Sequence, residues 1–299
     1  MNEKVLARKF WKLEVAEYLV LLMVVIYAVI FSYYTIVSRY YSFRTYAWDL
    51  GILVQSIADA TKGGFFTNNI ELYFSATGSY FGLHFSPILF ILLPFFSLIP
   101  QVETVFVLQS VVLALGSIPV YYIAKHCLNN RVAALLISAS YLLNPSLQGL
   151  NWCDLTPQVF IPLFILSATY FLKKRKPFLF LFFIVLTLMT LEQASYFVAV
   201  YALYSAWELR ADVKKIVSSK RTLLSFLPFI ILGLVVFWML FSSNVKFALN
   251  PNPPEEYKAL DNYELLEVNS LAEIPAKALT NPELFLKAIR FDLPHKILY

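Results

Sequence analysis

The chain has 299 residues, of which 59% are hydrophobic and 14% charged, and its formal net charge is +5. So few charged side chains cannot cover the surface of a water-soluble domain of this length, which leaves an integral membrane protein. In such a protein the excess of Lys and Arg reports cytoplasmic loops, not nucleic-acid binding.

Seven apolar stretches approach the ~20 residues that cross a hydrocarbon core. They are 17–38, 103–124, 131–147, 158–172, 178–192, 194–209 and 222–243. Lys4, Arg8, Lys9 and Lys12 precede the first and keep the N-terminus cytoplasmic. Glu17–Ser38 exceeds a signal-peptide core and runs into Arg39 without a small-residue cleavage site, so it reads as a signal anchor. A first outer loop, 39–102, follows. Tyr46-Ala47-Trp48-Asp49-Leu50-Gly51 opens it, and Ile52, Leu53, Ile57 and Ala60 continue at helical spacing. That pattern predicts an amphipathic helix lying on the membrane surface.

The stretch from His84 to Pro100 is apolar but carries Pro87, Pro94 and Pro100. If it crosses, the basic loops at 125–131, 173–176 and 210–221 all fall outside. If it does not, all three join the N-terminus inside. The positive-inside rule therefore makes it interfacial or re-entrant. Spans two and three lead to a second outer loop, 148–157. Spans four to seven lead to a polar C-terminal segment, 244–299, outside the cell membrane. That segment holds Pro251, Pro253 and Pro254, and closes on Lys296-Ile297-Leu298-Tyr299, which reads as the start of another helix. The expected fold is thus an all-α, polytopic bundle over 1–243. Cys127 and Cys153 fall on opposite faces and should not pair. His126 beside Cys127 lacks the further ligands that zinc requires.

Asp49 and Asp154 are outer-loop carboxylates beside membrane entrances. Each has two readings, a helix-start residue that complements the dipole or a chemical group. Paired acids of this kind suit magnesium or manganese. His84 heads the proline-rich stretch and is either structural or a phosphate contact. Glu192 lies between two apolar runs, either in a surface turn or as a functional intramembrane acid. The run Lys173–Lys176 reads first as a topology anchor, though it also attracts anionic headgroups. No Walker A, dinucleotide-binding, HExxH or GxSxG pattern is present.

Three stretches resemble a family of predicted prokaryotic membrane proteins of unknown function related to the GT-C glycosyltransferases. They are Trp48-Asp49-Leu50-Gly51 with Gln55; His84-Phe85-Ser86-Pro87 with Leu108-Gln109; and Asn144-Pro145 through Asn151-Trp152-Cys153-Asp154. The resemblance implies a GT-C-like fold and a polyprenyl-phosphate-linked sugar as donor, often with a divalent cation. It makes Asp49 the catalytic acid-base group and Asp154 a metal ligand. It makes His84, Gln55, Gln109 and Glu192 substrate contacts. Two departures stand out. The chain reads Asp154-Leu155-Thr156-Pro157-Gln158 where the family tends to Asp-Phe-His-Pro-Glu, and Leu191-Glu192-Gln193 where it tends to Lys-Glu-Asp. They favour a second reading, a degenerate scaffold that binds a lipid-linked glycan or serves as one subunit of a membrane assembly. A small-solute transporter is the third reading, and it lacks the paired interrupted helices that transporters use.

Overall fold

Helix α1 (Val15–Thr35) begins at a reciprocal cap: Glu14 N–H donates to the Glu17 carboxylate at 3.0 Å, and Glu14 caps in return. The computed structural model describes residues 14–73, 75–214, 222–251, 273–284 and 286–287. The basic residues at 4–12, Lys215, Lys220, Arg221 and the closing 296–299 lie outside them. α1 ends in a π-helical turn, Ile36–Tyr40, which carries Arg39 into the interior.

The segment 39–102, expected as the first outer loop, contains a helix at the expected place, α2 (Ala47–Thr61). A tightly bonded loop follows, in which Tyr80 N–H donates to Phe66 O at 2.9 Å and Ser79 Oγ to Phe65 O at 2.7 Å. Phe66 stacks on Phe81 at 4.6 Å, and Phe85 meets Trp238 at 5.5 Å, so this loop is rooted in the main core. The proline-rich stretch becomes a 3₁₀ segment, Pro87–Leu92, running into α3 (Leu93–Leu98). At 1.5–2 Å of rise per residue it spans roughly 20 Å, less than the ~30 Å of a hydrocarbon core.

α4 (Val102–Leu115) and α5 (Ser117–Leu128) form one apolar rod jointed at Gly116. Pro119 withdraws a backbone donor just past the joint. A side chain at Gly116 would stand 2.1 Å from the Tyr141 hydroxyl, which donates to Leu113 O at 3.0 Å. α5 stops at Asn129, which takes the left-handed conformation (φ 49°), and Asn130 caps α6 (Arg131–Leu142) through Val132 and Ala133 N–H. The expected span 131–147 breaks at Leu143. Asn144 and Pro145 there form the cap and first residue of α7 (Pro145–Trp152), so half of the expected second outer loop is helical.

A 3₁₀ turn, Pro157–Phe160, leads into α8 (Ile161–Lys173). Arg175, at φ 55°, turns the chain into α9 (Pro177–Leu188). α10 (Ala194–Glu208), α11 (Arg210–Val213) and α12 (Leu223–Leu249) complete this unit. α12 continues beyond the expected end at 243, because Lys246 finds Glu192 and Leu249 O accepts from Thr77 Oγ1. α1 packs on α4 and α6, α5 on α6 and α8, α8 on α9, and α10 on α12. A separate unit covers 253–299; its described part holds α13 (Ile274–Thr280).

Among the described residues, three helices are long and apolar enough to cross a membrane: Val15–Tyr40, Val102–Leu128 and Leu223–Leu249. Val25 and Val29 on α1, with Val236, Phe237 and Leu240 on α12, are exposed. An outward apolar surface of this extent suits lipid, not water. Among the described residues the structure is helical, with a single isolated bridge between Thr67 and Ser79.

Candidate functional site

The end of α7 is presented by α4. Gln109, 1% exposed, donates its amide nitrogen to the carbonyls of Leu150 (3.1 Å), Asn151 (3.0 Å) and Cys153 (2.9 Å). Ser110 donates to Asn151 Oδ1 at 3.0 Å. Carbonyls at a helix C-terminus have no intrahelical partner, and Gln109 supplies one. The Gln109 amide nitrogen thus holds the loop that carries Asp154, while its amide oxygen has no hydrogen-bond partner among the described residues.

Asp154 is buried, with its carboxylate 3.1 Å from Arg39 Nη2 and accepting the Tyr46 N–H at 2.7 Å. Arg39 also donates to Trp152 O and, at 3.1 Å, to Arg44 O, and its guanidinium lies over the Trp152 ring. Burial raises the Asp154 carboxyl above the ordinary carboxylate range, against the opposing Tyr46 N–H and Arg39, and the negative charge of Asp49 adds to it. Asp49 thus lies within electrostatic reach of Asp154. It is exposed on the first turn of α2, where Tyr46 is the N-cap residue, so Asp49 complements the dipole without capping. Asp49 and Asp154 come together at the start of α2, one open to solvent and the other buried and paired.

An apolar groove of about 460 Å³ is lined by Ile30, Phe31, Tyr34, Gln148, Gly149 and Trp152, the residue that Arg39 contacts. Trp152 is the shared wall, with the Tyr34 ring 4.9 Å from it on the groove side.

The remaining expected contacts lie elsewhere. Glu192 sits in the turn between α9 and α10 and accepts from Lys246 Nζ at 2.8 Å and Phe85 N–H at 3.0 Å. His84 Nδ1 is 3.7 Å away. Gln55 is exposed on α2 and accepts from Asn69 N–H at 3.3 Å, tying the following loop to the helix. Glu192 and Asp154 therefore have separate cationic partners.

Sequence reasoning treated Arg39 only as the flank of a span, and did not single out Lys246 or Glu71. Glu71 is 3% exposed, its Oε2 has no hydrogen-bond donor, and its electrostatic neighbour is His84. Burial pushes its carboxyl from 4.5 to about 7. The folded protein therefore holds a proton there that the unfolded chain has released, and stability falls as pH rises from about 4.5 to about 7. Glu71→Gln should remove that slope. Thermal unfolding should rise at about pH 8, by an amount on the order of 3 kcal/mol, and change little near pH 4.5. An equal shift at both pH values would contradict a titrating Glu71.

The family model described as "Predicted membrane protein (DUF2079)" matches residues 39–299. The chain belongs to that family. Neither curated proteins nor solved structures gave a match. In this DUF2079 protein the matched region contains Arg39, Asp49, Asp154, His84 and Glu192. The divalent cation implied by the resemblance does not fit the residues present. Arg39 and the Tyr46 N–H already occupy the Asp154 carboxylate. Among the described residues no group of three or more His, Cys, Asp or Glu gathers. A magnesium or manganese ion needs several oxygen ligands, so no step below runs through one.

Proposed function

We propose that this chain is a GT-C-like membrane glycosyltransferase that takes a polyprenyl-phosphate-linked sugar at the extracytoplasmic face. One observation carries the reading: an exposed carboxylate, Asp49, stands beside the Arg39–Asp154 pair, and Trp152 joins that pair to an apolar groove along α1. The groove suits an isoprenoid chain, and Asp49 suits a base. Asp49 takes the proton of an acceptor hydroxyl. The acceptor oxygen bonds to the anomeric carbon as the bond from that carbon to the phosphate oxygen breaks, and polyprenyl phosphate leaves. His84 and Glu192, in their own cluster with Lys246, are assigned to acceptor or sugar contacts. The assay is release of polyprenyl phosphate from a labelled lipid-linked sugar by the purified chain. No release with any of a panel of hexosyl and pentosyl donors would reject the enzyme.

Within this reading the helices make seven passes, with the N-terminus cytoplasmic and the C-terminal segment outside. Contacts support it. Tyr41 hydrogen-bonds Glu103 at 2.7 Å, so the stretch between them starts and finishes at one end of the bundle. Lys125 with Glu14 and Glu17, Lys173 with Glu208, and Lys174 with His126 tie the basic loops together at the other. Cys127 and Cys153 are both free and exposed. In intact cells a membrane-impermeant maleimide should label Cys153, and Cys127 only after lysis. The reverse pattern would mean that 84–100 crosses, with Asp49 and Asp154 on opposite sides of the membrane.

The neutralisation of Asp154 by Arg39 favours a second reading, a non-catalytic scaffold that binds a lipid-linked glycan or a second membrane subunit. It predicts saturable binding of the lipid-linked sugar with no release.

A further inference from the structure

A second cavity lies at the Lys-rich end, between the last turns of the packed helices α5 and α8. It holds about 360 Å³, within the range of small-ligand sites, and is lined by Tyr122, Lys125, His126, Asn129, Tyr170 and Lys174.

The charges here are not equivalent. Lys173 pairs with Glu208 at 3.3 Å, and Arg175 pairs with Asp212. Lys125 is held between Glu14 at 3.0 Å and Glu17 at 3.3 Å, and Arg131 shares Glu14. Lys174 turns into the cavity instead, its Nζ 3.3 Å from His126 Nδ1 and over the Tyr170 ring. Among the described residues no carboxylate pairs with Lys174. An ammonium can only donate, so this contact needs the lone pair on Nδ1 and leaves the imidazole proton on Nε2 as a further donor. The Tyr122 and Tyr170 rings, 5.6 Å apart, form the wall, and amphipathic rings of this kind sit at headgroup level.

We propose that this cavity binds a phosphate-bearing anion, with Lys174 as its uncompensated cation and His126 as a second donor. Basic pockets between helices on this side of a membrane take anionic headgroups. The same chemistry also accepts a soluble phosphate. The site lies apart from the Asp49 and Asp154 pair and does not depend on the glycosyltransferase reading.

The test is calorimetric titration of the full chain in neutral detergent with three probes: dioctanoyl phosphatidylglycerol, inorganic phosphate and uncharged dioctanoylglycerol. Phosphatidylglycerol should bind saturably, and Lys174→Ala should weaken it about 10-fold or more, the loss expected for a hydrogen bond to a charged group. Lys176→Ala removes the same charge from the same loop but outside the cavity, and should leave affinity within about 2-fold. Inorganic phosphate binding with the same dependence on Lys174 assigns the site to a soluble phosphate; its failure to bind assigns a lipid headgroup. Three outcomes overturn the proposal: no saturable binding of either phosphate probe, equal losses in both Lys variants, or equal binding of dioctanoylglycerol. Both lysines are exposed, so unchanged thermal unfolding will separate lost binding from lost folding.

Discussion

With Asp49 as the base of the proposed sugar transfer, Asp49→Asn should lower the rate of sugar release by about 10²–10⁴-fold, the usual contribution of a general base. The substitution is nearly isosteric and keeps the side chain on the first turn of α2, but the amide cannot accept a proton. Asp154 cannot take over, because Arg39 and the Tyr46 N–H already engage its carboxylate. Stability should change little. Asp49 is exposed, and the lost complement to the helix dipole is worth about 0.3–1 kcal/mol. Turnover and thermal unfolding should be measured on the same preparation. Wild-type turnover by the variant would remove Asp49 as the base. Equal loss of turnover and of folding would assign it to structure.

Arg39→Met should destabilise the protein by about 3–5 kcal/mol, because it leaves a buried carboxylate without its counter-charge. The guanidinium serves three segments at once: Asp154, the Trp152 carbonyl at the end of α7, and the Arg44 carbonyl beyond the π-helical turn. Lysine cannot reproduce this fork, so Arg39→Lys should recover only part of the loss. The double variant Arg39→Met with Asp154→Leu should be more stable than Arg39→Met alone, since neither charge is then stranded. Denaturant unfolding in detergent reads all three together with the single Asp154→Leu variant, which completes the cycle. A double variant that loses as much as the sum of its parts would mean that the two side chains do not interact.

Much of the architecture was legible because a bilayer imposes simple rules on composition. Apolar runs marked the α1, α4–α5 and α12 segments, and the spacing of Ile52, Leu53, Ile57 and Ala60 marked α2, on which Leu50, Leu53 and Ile57 are buried. Helix ends were less legible. Asn144-Pro145 interrupts an apolar run, and its effect depends on capping geometry that hydropathy does not register. Asp49 and Asp154 were expected on one face, and the fold puts them within electrostatic reach of each other. The partner that neutralises Asp154 was not expected, because Arg39 looks like any positive residue flanking a span until the π-helical turn carries it inside. Gln109 entered only through the resemblance, and its hold on the open carbonyls of α7 is a tertiary contact that no local pattern signals. Glu71 carries no local signal, since its environment is made by the fold of the whole outer loop.

The Arg39 pairing also bears on how the chain is made. Arg39 is separated from Trp152 by 113 residues of sequence. At synthesis rates of about 5–20 residues per second, the arginine waits on the order of ten seconds before the segment carrying its partners exists. Until then a cation at the head of the first apolar segment stays with water or headgroups, as charges at span ends do. It can enter the interior only when α7 and the Asp154 loop arrive. Closing this end of the bundle is therefore a late, long-range event, and the first segment forms a helix with an exposed charged tip that is buried only on assembly.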